Sequence, residues 1–438
     1  MGGALLGFRE FYPEDCALRQ YIFETFRSVA STFGFEEFDG PILEPLELFA
    51  EKSGPEIAEQ LFHFEDRGGR SVAMRPEMTP TLARMVGARA AALRRPIRWF
   101  SVGEQFRYER PQKGRLRAFY QMNLDLLGES AIGADGEVIA ALIASLKAFG
   151  LNEKDFRLRL SDRQLWRHFL ASRGVSDDGA AGILNTIDKM GREPESVSRE
   201  KLCSIVSTPV AEELLRSVKE LSQCTTLGAL GAFFRSNGHG AAMDRLREWE
   251  ELFNILTAME LAQFISIDLS VVRGLAYYTG FVFEAFECGG ESRALAGGGR
   301  YDNLVKKLAG TDMPACGFAI GDVTLGNLLR EKNLLPRGVC NCDFWLAFDD
   351  VNKFIALRCA NLIRQKGRSV LYSLVEHLSL TKQLKFADRA GARFAVLFGF
   401  QDETGCSGEN LCVLKDMRTG NSRTISINSL LEECACLT

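Results

Sequence analysis

The stretch Phe-Arg-Tyr-Glu-Arg-Pro-Gln-Lys-Gly-Arg-Leu-Arg-Ala-Phe-Tyr-Gln, residues 106–121, decides the fold class of this chain. It holds five cations and one carboxylate, and its Pro-Gln-Lys-Gly tip has the residues of a turn. The preceding run, residues 97–102, is rich in β-branched and aromatic residues, and the following run, residues 121–128, alternates polar and apolar residues. Both patterns are typical of strands, so the sequence predicts two strands joined by a mobile cationic loop.

The second of these strands carries an unusual set of polar residues. Its alternation places Gln121, Asn123 and Asp125 on one face of the sheet, beside Arg107. Polar groups in such positions cost stability unless they have partners. An arginine, an amide and a carboxylate under a cationic loop suit a polyphosphate bound next to a small zwitterion. The alternative is a hairpin with a solvated, charged turn.

The residues 106–121 resemble motif 2 of the class II aminoacyl-tRNA synthetases, in the form found in the histidyl-tRNA synthetase family. Two further segments are similar to that family and occur in its order: Arg-Pro-Glu-x-Thr at 75–79 and Arg-Gly-Leu-Ala-Tyr-Tyr-Thr-Gly at 273–280. The second resembles the family's histidine-specific motif, in the form typical of plant organelles and some bacteria. The resemblance implies an α+β fold with a class II antiparallel-sheet catalytic core, a helical insertion and a C-terminal α/β anticodon-binding domain.

The order of predicted elements gives the domain bounds. We expect residues 1–160 and 257–335 to form the catalytic domain, and residues 161–256, which are helical in pattern and poor in motifs, to form the helical insertion. Residues 340–438 alternate strands with helices, which predicts a small α/β domain with a mostly parallel sheet, and the resemblance implies that it is the anticodon-binding domain. A helix and a strand within residues 8–43 resemble motif 1, which implies a homodimer. The triple glycine at 297–299 lacks dinucleotide-motif spacing, so it predicts a tight turn or close backbone packing.

Composition restricts the class of protein. The formal net charge of −4 gives no general attraction to nucleic acid, so any RNA contact depends on local basic patches. The twelve cysteines are scattered, without the paired clusters of a zinc site, and predict reduced thiols in a cytoplasmic protein. No apolar run is long enough to span a membrane, and the apolar N-terminus is too short for a secretory signal.

The resemblance implies a two-step reaction. ATP activates L-histidine as histidyl-adenylate, and the histidyl group is then transferred to the 3′ end of tRNA(His). Charge develops on phosphate oxygens, so catalysis is expected to depend on electrostatic positioning. Mg²⁺ would accompany ATP, held mainly by phosphate oxygens rather than by protein ligands.

Roles for individual residues follow from the same resemblance. The expected catalytic residues are Arg107, Arg273 and Gln121. The expected histidine-binding residues are Glu77, Thr79, Arg107, Gln121, Asp125, Arg273, Tyr277 and Tyr278. The expected ATP-binding residues are Arg107, Glu109, Arg115 and Arg273. The expected tRNA-binding residues, from a helix similar to that of the anticodon-binding domain, are Lys382, Lys385 and Arg389.

The chain departs from the family pattern at three places. The motif 3 segment usually reads Gly-Leu-Glu-Arg-Leu, but here Thr324 replaces the arginine that grips the γ-phosphate of ATP. Ala276 stands where many relatives have aspartate, and Asp125 where many have glutamate. The motif 3 loss favours an alternative: a catalytically inactive regulatory subunit that senses histidine for ATP phosphoribosyltransferase. Another class II amino-acid ligase is a third possibility.

Two of the assigned groups also have simpler explanations. Glu77 and Thr79 could cap the helix that follows them. The cations near 382–389 could form a solvated helix face, as charged runs usually do. The intact residues of motif 2 and of the histidine-specific segment favour the synthetase over the regulatory subunit.

Overall fold

The computed structural model describes residues 3–50, 60–112, 114–190, 193–236, 240–272, 277–289, 293–335, 342–399 and 410–436. The chain divides into two compact units, residues 1–335 and 336–438. The described helices of the first unit are α1 (Pro13–Thr32), α2 (Glu47–Ala50), α3 (Thr79–Ala88), α4 (Ile132–Ala148), α5 (Arg163–Ala171), α6 (Asp177–Lys189), α7 (Glu195–Cys203), α8 (Thr208–Ser222), α9 (Leu227–Ser236), α10 (Gly240–Ala258), α11 (Leu304–Ala309) and α12 (Asp322–Glu331). Its described strands are β1 (Glu36–Glu37), β2 (Leu43–Pro45), β3 (His63–Glu65), β4 (Ser71–Met74), β5 (Ile97–Phe106), β6 (Ala118–Leu127), β7 (Phe156–Asp162), β8 (Ile265–Ile267), β9 (Phe281–Glu287), β10 (Ala296–Arg300) and β11 (Ala315–Gly321).

An eight-stranded sheet organises the described part of the first unit, in the order β1-β5-β6-β11-β10-β9-β7-β8. Its six inner strands are antiparallel, and an outer strand pairs in parallel at each edge. The predicted hairpin is the β5–β6 pair, in which Phe106 lies opposite Ala118. The predicted α+β class and antiparallel core are therefore confirmed. The finer division of this unit into catalytic and insertion domains stays a prediction.

Strand β6 separates the core from the polar face. Met122, Leu124 and Leu126 are buried in one hydrophobic cluster with residues of α1 and α4. Since side chains alternate along a strand, Gln121, Asn123 and Asp125 face the other way. Burial of the apolar set, at roughly 1.5–3 kcal/mol per large side chain, stabilises the orientation of the polar set.

The strand expected over residues 35–43 is divided in the structure. Residues 36–37 pair with β5, whereas residues 43–45 pair with β4 in a separate three-stranded sheet, β2-β4-β3. Between them, Arg75 donates hydrogen bonds of 2.8 Å to Asp39 Oδ1 and 2.7 Å to the Gly40 carbonyl. The Arg75 side chain thus occupies a backbone carbonyl that a continuous strand would use for hydrogen bonds to a neighbouring strand. This explains why the prediction of one strand was wrong.

The triple glycine forms the interior of strand β10, not a tight turn. A Cβ on Gly298 would lie 2.3 Å from the Gly317 carbonyl oxygen, and one on Gly299 would lie 2.4 Å from the Phe281 carbonyl oxygen. Glycine is needed here because neighbouring backbone approaches too closely for any side chain. Close backbone packing, the second of the two expectations, is therefore the correct one.

The second unit alternates helices and strands as expected. Its described helices are α13 (Lys353–Gln365), α14 (Leu380–Arg389) and α15 (Ile427–Cys436), and its described strands are β12 (Cys342–Phe348), β13 (Val370–Tyr372), β14 (Ala392–Phe398), β15 (Leu411–Asp416) and β16 (Ser422–Ser426). The order of its described sheet is β13-β12-β14-β15-β16. Three strands are parallel, and β15 and β16 add antiparallel pairs at one edge. The sheet is thus mixed rather than mostly parallel.

Within the described ranges, no helix is both long enough and apolar enough to cross a membrane.

Candidate active site

A cleft of about 1040 Å³ opens on the polar face of the eight-stranded sheet. Most of the side chains expected at the site line it: Glu77, Thr79, Arg107, Glu109, Arg115, Gln121, Asp125, Tyr277 and Tyr278. They come from β6, the loop between β5 and β6, the segment where α3 begins and the segment before β9. The structure therefore brings together residues that are up to two hundred positions apart in the sequence. Arg273 lies outside the described residues, so its expected place opposite Arg107 stays a prediction.

Asp125 is a deeply buried carboxylate of the cleft, with 3% of its surface exposed, the same fraction as for Glu77. Its Oδ1 accepts a 2.5 Å hydrogen bond from the Tyr301 hydroxyl. Its buried Oδ2 has no hydrogen-bond partner among the described residues. Burial raises the pKa of Asp125 to about 7; the Tyr301 hydrogen bond opposes this rise and the charge of Glu77 adds to it. One carboxylate oxygen is thus held by the protein and the other is left for a ligand.

Two glycines make room for this carboxylate. Gly317 lies directly opposite Asp125 in the β6–β11 pair, and Gly299 lies opposite Gly317 in the next pair. A Cβ on Gly317 would lie 2.1 Å from Asp125 Oδ1, and one on Gly299 would lie 3.1 Å from Tyr278 Cδ1. The row of glycines therefore forms a side-chain-free floor on which Asp125 and Tyr278 lie.

Glu77 and Tyr277 form the second polar group of the cleft. The Tyr277 hydroxyl donates a 3.0 Å hydrogen bond to Glu77 Oε2, and both residues are buried. Burial, together with the charge of Glu77, raises the pKa of the Tyr277 hydroxyl well above its ordinary value. Helix α3 begins at Thr79, and its N-cap position is Met78, which makes no side-chain capping bond. The carboxylate of Glu77 is therefore directed to the cleft, next to the Thr79 side chain.

Three aromatic rings enclose the region around Asp125. The ring centroids of Tyr277 and Tyr278 are 5.0 Å apart, and those of Tyr277 and Tyr301 are 5.6 Å apart. The distance between the Tyr278 and Tyr301 centroids is 6.5 Å. A small, flat, polar ring fits such surroundings because aromatic faces pack against it while hydroxyl groups and the carboxylate supply hydrogen bonds.

The loop between β5 and β6 brings cations over the cleft. Arg107 donates from Nε to the Pro76 carbonyl at 3.0 Å and lies 5.5 Å from the Phe119 ring centre. Arg115 forms an ion pair with the buried Glu109. These contacts hold the guanidinium group of each arginine at its Nε atom, and both arginines line the cleft. The cluster can therefore stabilise negative charge that develops on a phosphate.

Tyr301 and Arg163 also line the cleft, and the sequence predicted no role for either. Tyr301 follows strand β10. The three glycines of β10 have no side chains, so no alternating pattern in the sequence could show which way the Tyr301 side chain points. Arg163 begins α5, in the region without motifs, and donates to the Tyr278 carbonyl at 3.4 Å and to the Val272 carbonyl at 3.5 Å. Its position depends on Asp162, which caps α5 and also pairs with Arg245 at 2.6 Å. These contacts are tertiary, so a local pattern could not reveal them.

The expected tRNA-binding residues lie in the second unit. Lys382, Lys385 and Arg389 are all exposed on α14, and their spacing places them on one helix face. Gln383 faces the other way, is buried, and bonds both the backbone N–H and the carbonyl of Phe348. An anchored helix with an exposed basic face is suitable for contact with a phosphate backbone.

Groups of three or more His, Cys, Asp or Glu side chains arranged to hold a metal ion do not occur in the described part of the chain.

Comparison with known proteins identifies the family. A family model described as histidyl-tRNA synthetase matches residues 7–324. The histidine–tRNA ligase of Opitutus terrae is 48% identical over 424 residues, which cover 95% of this chain and 94% of that protein. The chloroplastic/mitochondrial histidine–tRNA ligase of Arabidopsis thaliana is 38% identical over 397 residues, 90% of this chain and 79% of that protein.

Solved structures agree with the fold. The histidyl-tRNA synthetase of Nostoc sp. PCC 7120 has a TM-score of 0.81 at 23% identity, covering 99% of this chain and 98% of that one. A Bacillus halodurans C protein described as an ATP phosphoribosyltransferase regulatory subunit/histidyl-tRNA synthetase has a TM-score of 0.72 at 24% identity, covering 88% and 96%. At these identities the likeness is one of fold. The family model and the two more similar relatives span most of the sequence, and on that basis this chain belongs to the histidyl-tRNA synthetase family of class II aminoacyl-tRNA synthetases.

Proposed function

We propose that this chain is a histidine–tRNA ligase that activates L-histidine with ATP and transfers it to the 3′ end of tRNA(His). The observation that carries the proposal is the convergence of Glu77, Tyr277, Asp125 and Arg107 on one cleft. Relatives that are 48% and 38% identical over most of the chain are both histidine–tRNA ligases. The regulatory-subunit alternative is not favoured, because apart from the changed motif 3 its support is a likeness of fold at 24% identity.

The geometry suggests how histidine is recognised. In the proposal, the unpartnered Oδ2 of Asp125 accepts an imidazole N–H, and the Tyr278 hydroxyl bonds the other ring nitrogen. Glu77, Thr79 and Gln121 bind the α-ammonium, whose three N–H donors require acceptors. A ligand without these groups would leave buried polar atoms unpaired, which is a strong basis for discrimination.

The first chemical step is a displacement at phosphorus. A carboxylate oxygen of histidine forms a bond to the α-phosphorus of ATP, and the bond to the bridging oxygen breaks to release pyrophosphate. Arg107 is proposed to contact the α-phosphate and the histidine carboxylate, and Glu109 and Arg115 to contact ATP. Arg273 is proposed to approach the α-phosphate from the opposite side. In the second step, a terminal ribose hydroxyl of tRNA attacks the histidyl carbonyl, and AMP leaves.

The remaining parts of the proposal concern partners. Mg²⁺ would enter with ATP as a counter-ion held by phosphate oxygens. Lys382, Lys385 and Arg389 would contact tRNA(His) through its backbone. A homodimer and a cytoplasmic location stay predictions.

The test is histidine-dependent exchange of labelled pyrophosphate into ATP by the purified chain, followed by charging of tRNA(His). Exchange and charging are both expected. Exchange without charging would indicate an adenylating paralogue, and no exchange would favour the histidine sensor. Exchange supported by another amino acid in place of histidine would indicate a different ligase.

A further inference from the structure

The loss of the motif 3 arginine leaves the outer phosphates of ATP without their usual guanidinium. Thr324, which occupies that position, lies in the first turn of α12 and lines the cleft. A hydroxyl cannot neutralise phosphate charge as a guanidinium does, and a substrate with several negative charges still requires cations. A cation that replaces the missing guanidinium should therefore lie within the length of an arginine side chain from Thr324.

Arg293 meets this requirement. A Cβ placed on Gly114, at the tip of the cationic loop, would lie 3.4 Å from Thr324 Cγ2 and 3.6 Å from Arg293 Cδ. Both side chains therefore lie next to the same glycine. The distance between Thr324 Cγ2 and Arg293 Cδ cannot exceed the sum of those two distances. Arg293 is half-buried and lines the cleft together with Gly114, Arg115 and Thr324.

One hydrogen-bond partner of Arg293 is a neutral amide that a phosphate could displace. Its Nη2 donates a 2.9 Å hydrogen bond to the side-chain amide oxygen of Gln112. Gln112 and Arg115 pair with each other through their backbones across the loop tip, at 3.0 and 2.9 Å. A neutral amide is a weaker acceptor for a guanidinium than a phosphate oxygen, which forms charge-assisted bonds. The guanidinium is thus already in contact with the cationic loop.

We propose that Arg293 supplies the guanidinium for the β- and γ-phosphates of ATP in place of the missing motif 3 arginine. This inference rests on the proposed function. Arg293 reaches the site from the start of β10 and Arg115 reaches it from the loop, so the outer phosphates lie between two arginines. Because pyrophosphate consists of these same phosphates, Arg293 also contacts the leaving group.

The main experiment compares Arg293→Ala with the unchanged chain. Loss of a hydrogen-bonded charge predicts a rise of about ten- to a hundredfold in the KM for ATP in exchange and in the Kd for ATP by calorimetry. The KM for pyrophosphate should rise similarly. Binding of histidyl-sulfamoyl-adenosine, which has no outer phosphates, should change by less than about twofold because only the β- and γ-phosphate contacts are lost. Equal weakening of that analogue, or an unchanged Kd for ATP, would overturn the proposal.

Two further variants separate contact with ATP from support of the loop. Gln112→Ala removes the loop contact and leaves the guanidinium in place, so it should keep ATP affinity close to that of the unchanged chain. If Gln112→Ala weakens ATP binding as much as Arg293→Ala does, Arg293 only positions the loop. Thr324→Arg, added to Arg293→Ala, should recover much of the lost ATP affinity, and no recovery would contradict the equivalence of the two positions. Arg247→Ala, at an exposed arginine of α10, is the matched control.

The outcomes for the two proposals are distinct. If the unchanged chain shows no histidine-dependent exchange, the proposed function fails. In that case the calorimetric comparison with ATP still decides whether Arg293 holds the outer phosphates. If exchange is normal and Arg293→Ala binds ATP as well as the unchanged chain, only the assignment of Arg293 is wrong.

Discussion

The hydroxyl of Tyr301 lies 2.5 Å from Oδ1 of Asp125, across strand β11 of the central sheet and within a buried part of the cleft. This bond orients the carboxylate so that its second oxygen is left without a partner among the residues that the structure describes. The relationship leads to the first two predictions.

Asp125→Asn should impair histidine binding selectively. The amide has nearly the same size, but it is neutral, and one of the two carboxylate oxygens is replaced by an NH2 group, which is a donor. A lost hydrogen bond to a charged group predicts a rise in the KM for histidine of about ten- to a hundredfold. The KM for ATP should remain within about twofold, since the residues proposed to contact ATP lie elsewhere in the cleft. Initial exchange rates at varied histidine and ATP concentrations measure both values, and an equal rise in the two would contradict the assignment.

Asp125 should also make the stability of the ligand-free protein depend on pH. Its pKa is about 7 in the folded chain and about 3.9 when unfolded, so between these values the folded state binds more protons. The free energy of unfolding should therefore fall as pH rises from about 4 to about 7, with a slope of up to about 1.4 kcal/mol per pH unit from this group. Above that range the contribution should not change further.

Urea unfolding of the original chain and of Asp125→Asn at several pH values tests this linkage. As pH rises from 4 to 7, the unfolding free energy of Asp125→Asn should increase relative to that of the original chain. A difference that stays constant from pH 4 to 7 would show that Asp125 titrates normally. Tyr301→Phe is a useful third protein, because losing the hydroxyl should raise the pKa of Asp125 further.

The polar face of β6 was predictable, and Tyr301 was not, for a physical reason. Alternation along β6 is imposed by strand geometry, so three polar residues at 121, 123 and 125 had to share a face once the strand was recognised. The segment 297–299 has no side chains to alternate, so neither its strand character nor the direction of Tyr301 could be inferred from a pattern. Only the contact of three backbones in the folded sheet shows why glycine is present there.

Arg163 and the divided strand near residue 40 illustrate a second limit. Both depend on contacts between segments far apart in the sequence: Arg163 with the carbonyls of Val272 and Tyr278, and Arg75 with Gly40. Propensity and periodicity describe neighbours along the chain and carry no information on such contacts. The motif resemblance supplied long-range information only for residues that the motifs contain.

Glu77→Gln should weaken recognition of the α-ammonium of histidine. The variant keeps a hydrogen-bond acceptor for Tyr277 but loses the charge that attracts the ammonium. Histidine affinity should fall about ten- to a hundredfold. Imidazole propionate, which has the side chain and carboxylate of histidine but no ammonium, should bind the variant at least as well as the original chain. Competition of both compounds in the exchange assay measures this, and a matching loss for imidazole propionate would indicate general damage to the cleft.

Gly317→Ala should disrupt the histidine site through a steric effect. The added Cβ would lie 2.1 Å from Asp125 Oδ1 and 2.7 Å from the Leu124 carbonyl oxygen, so strand or carboxylate must move. We expect a loss of about 1–3 kcal/mol in unfolding free energy and histidine affinity too weak to measure in exchange. Gly133→Ala is the control, because a Cβ there meets nothing within 4 Å in helix α4. That change should stabilise the chain by about 0.5–1 kcal/mol, and similar behaviour of the two variants would refute the steric explanation.

Lys382→Ala/Lys385→Ala should reduce charging of tRNA(His) without affecting histidine activation. Both lysines are exposed on the face of α14 opposite to the buried Gln383, so their removal should leave the fold of the second unit intact. Each lost phosphate contact should lower the dependence of log Kd on log salt by about 0.7–0.9, and the KM for tRNA should rise several-fold. Lys366→Ala/Arg418→Ala removes the same charge from other exposed positions of this unit and should change little. If both double variants lower tRNA affinity equally, the attraction is a general effect of charge, and α14 has no specific role.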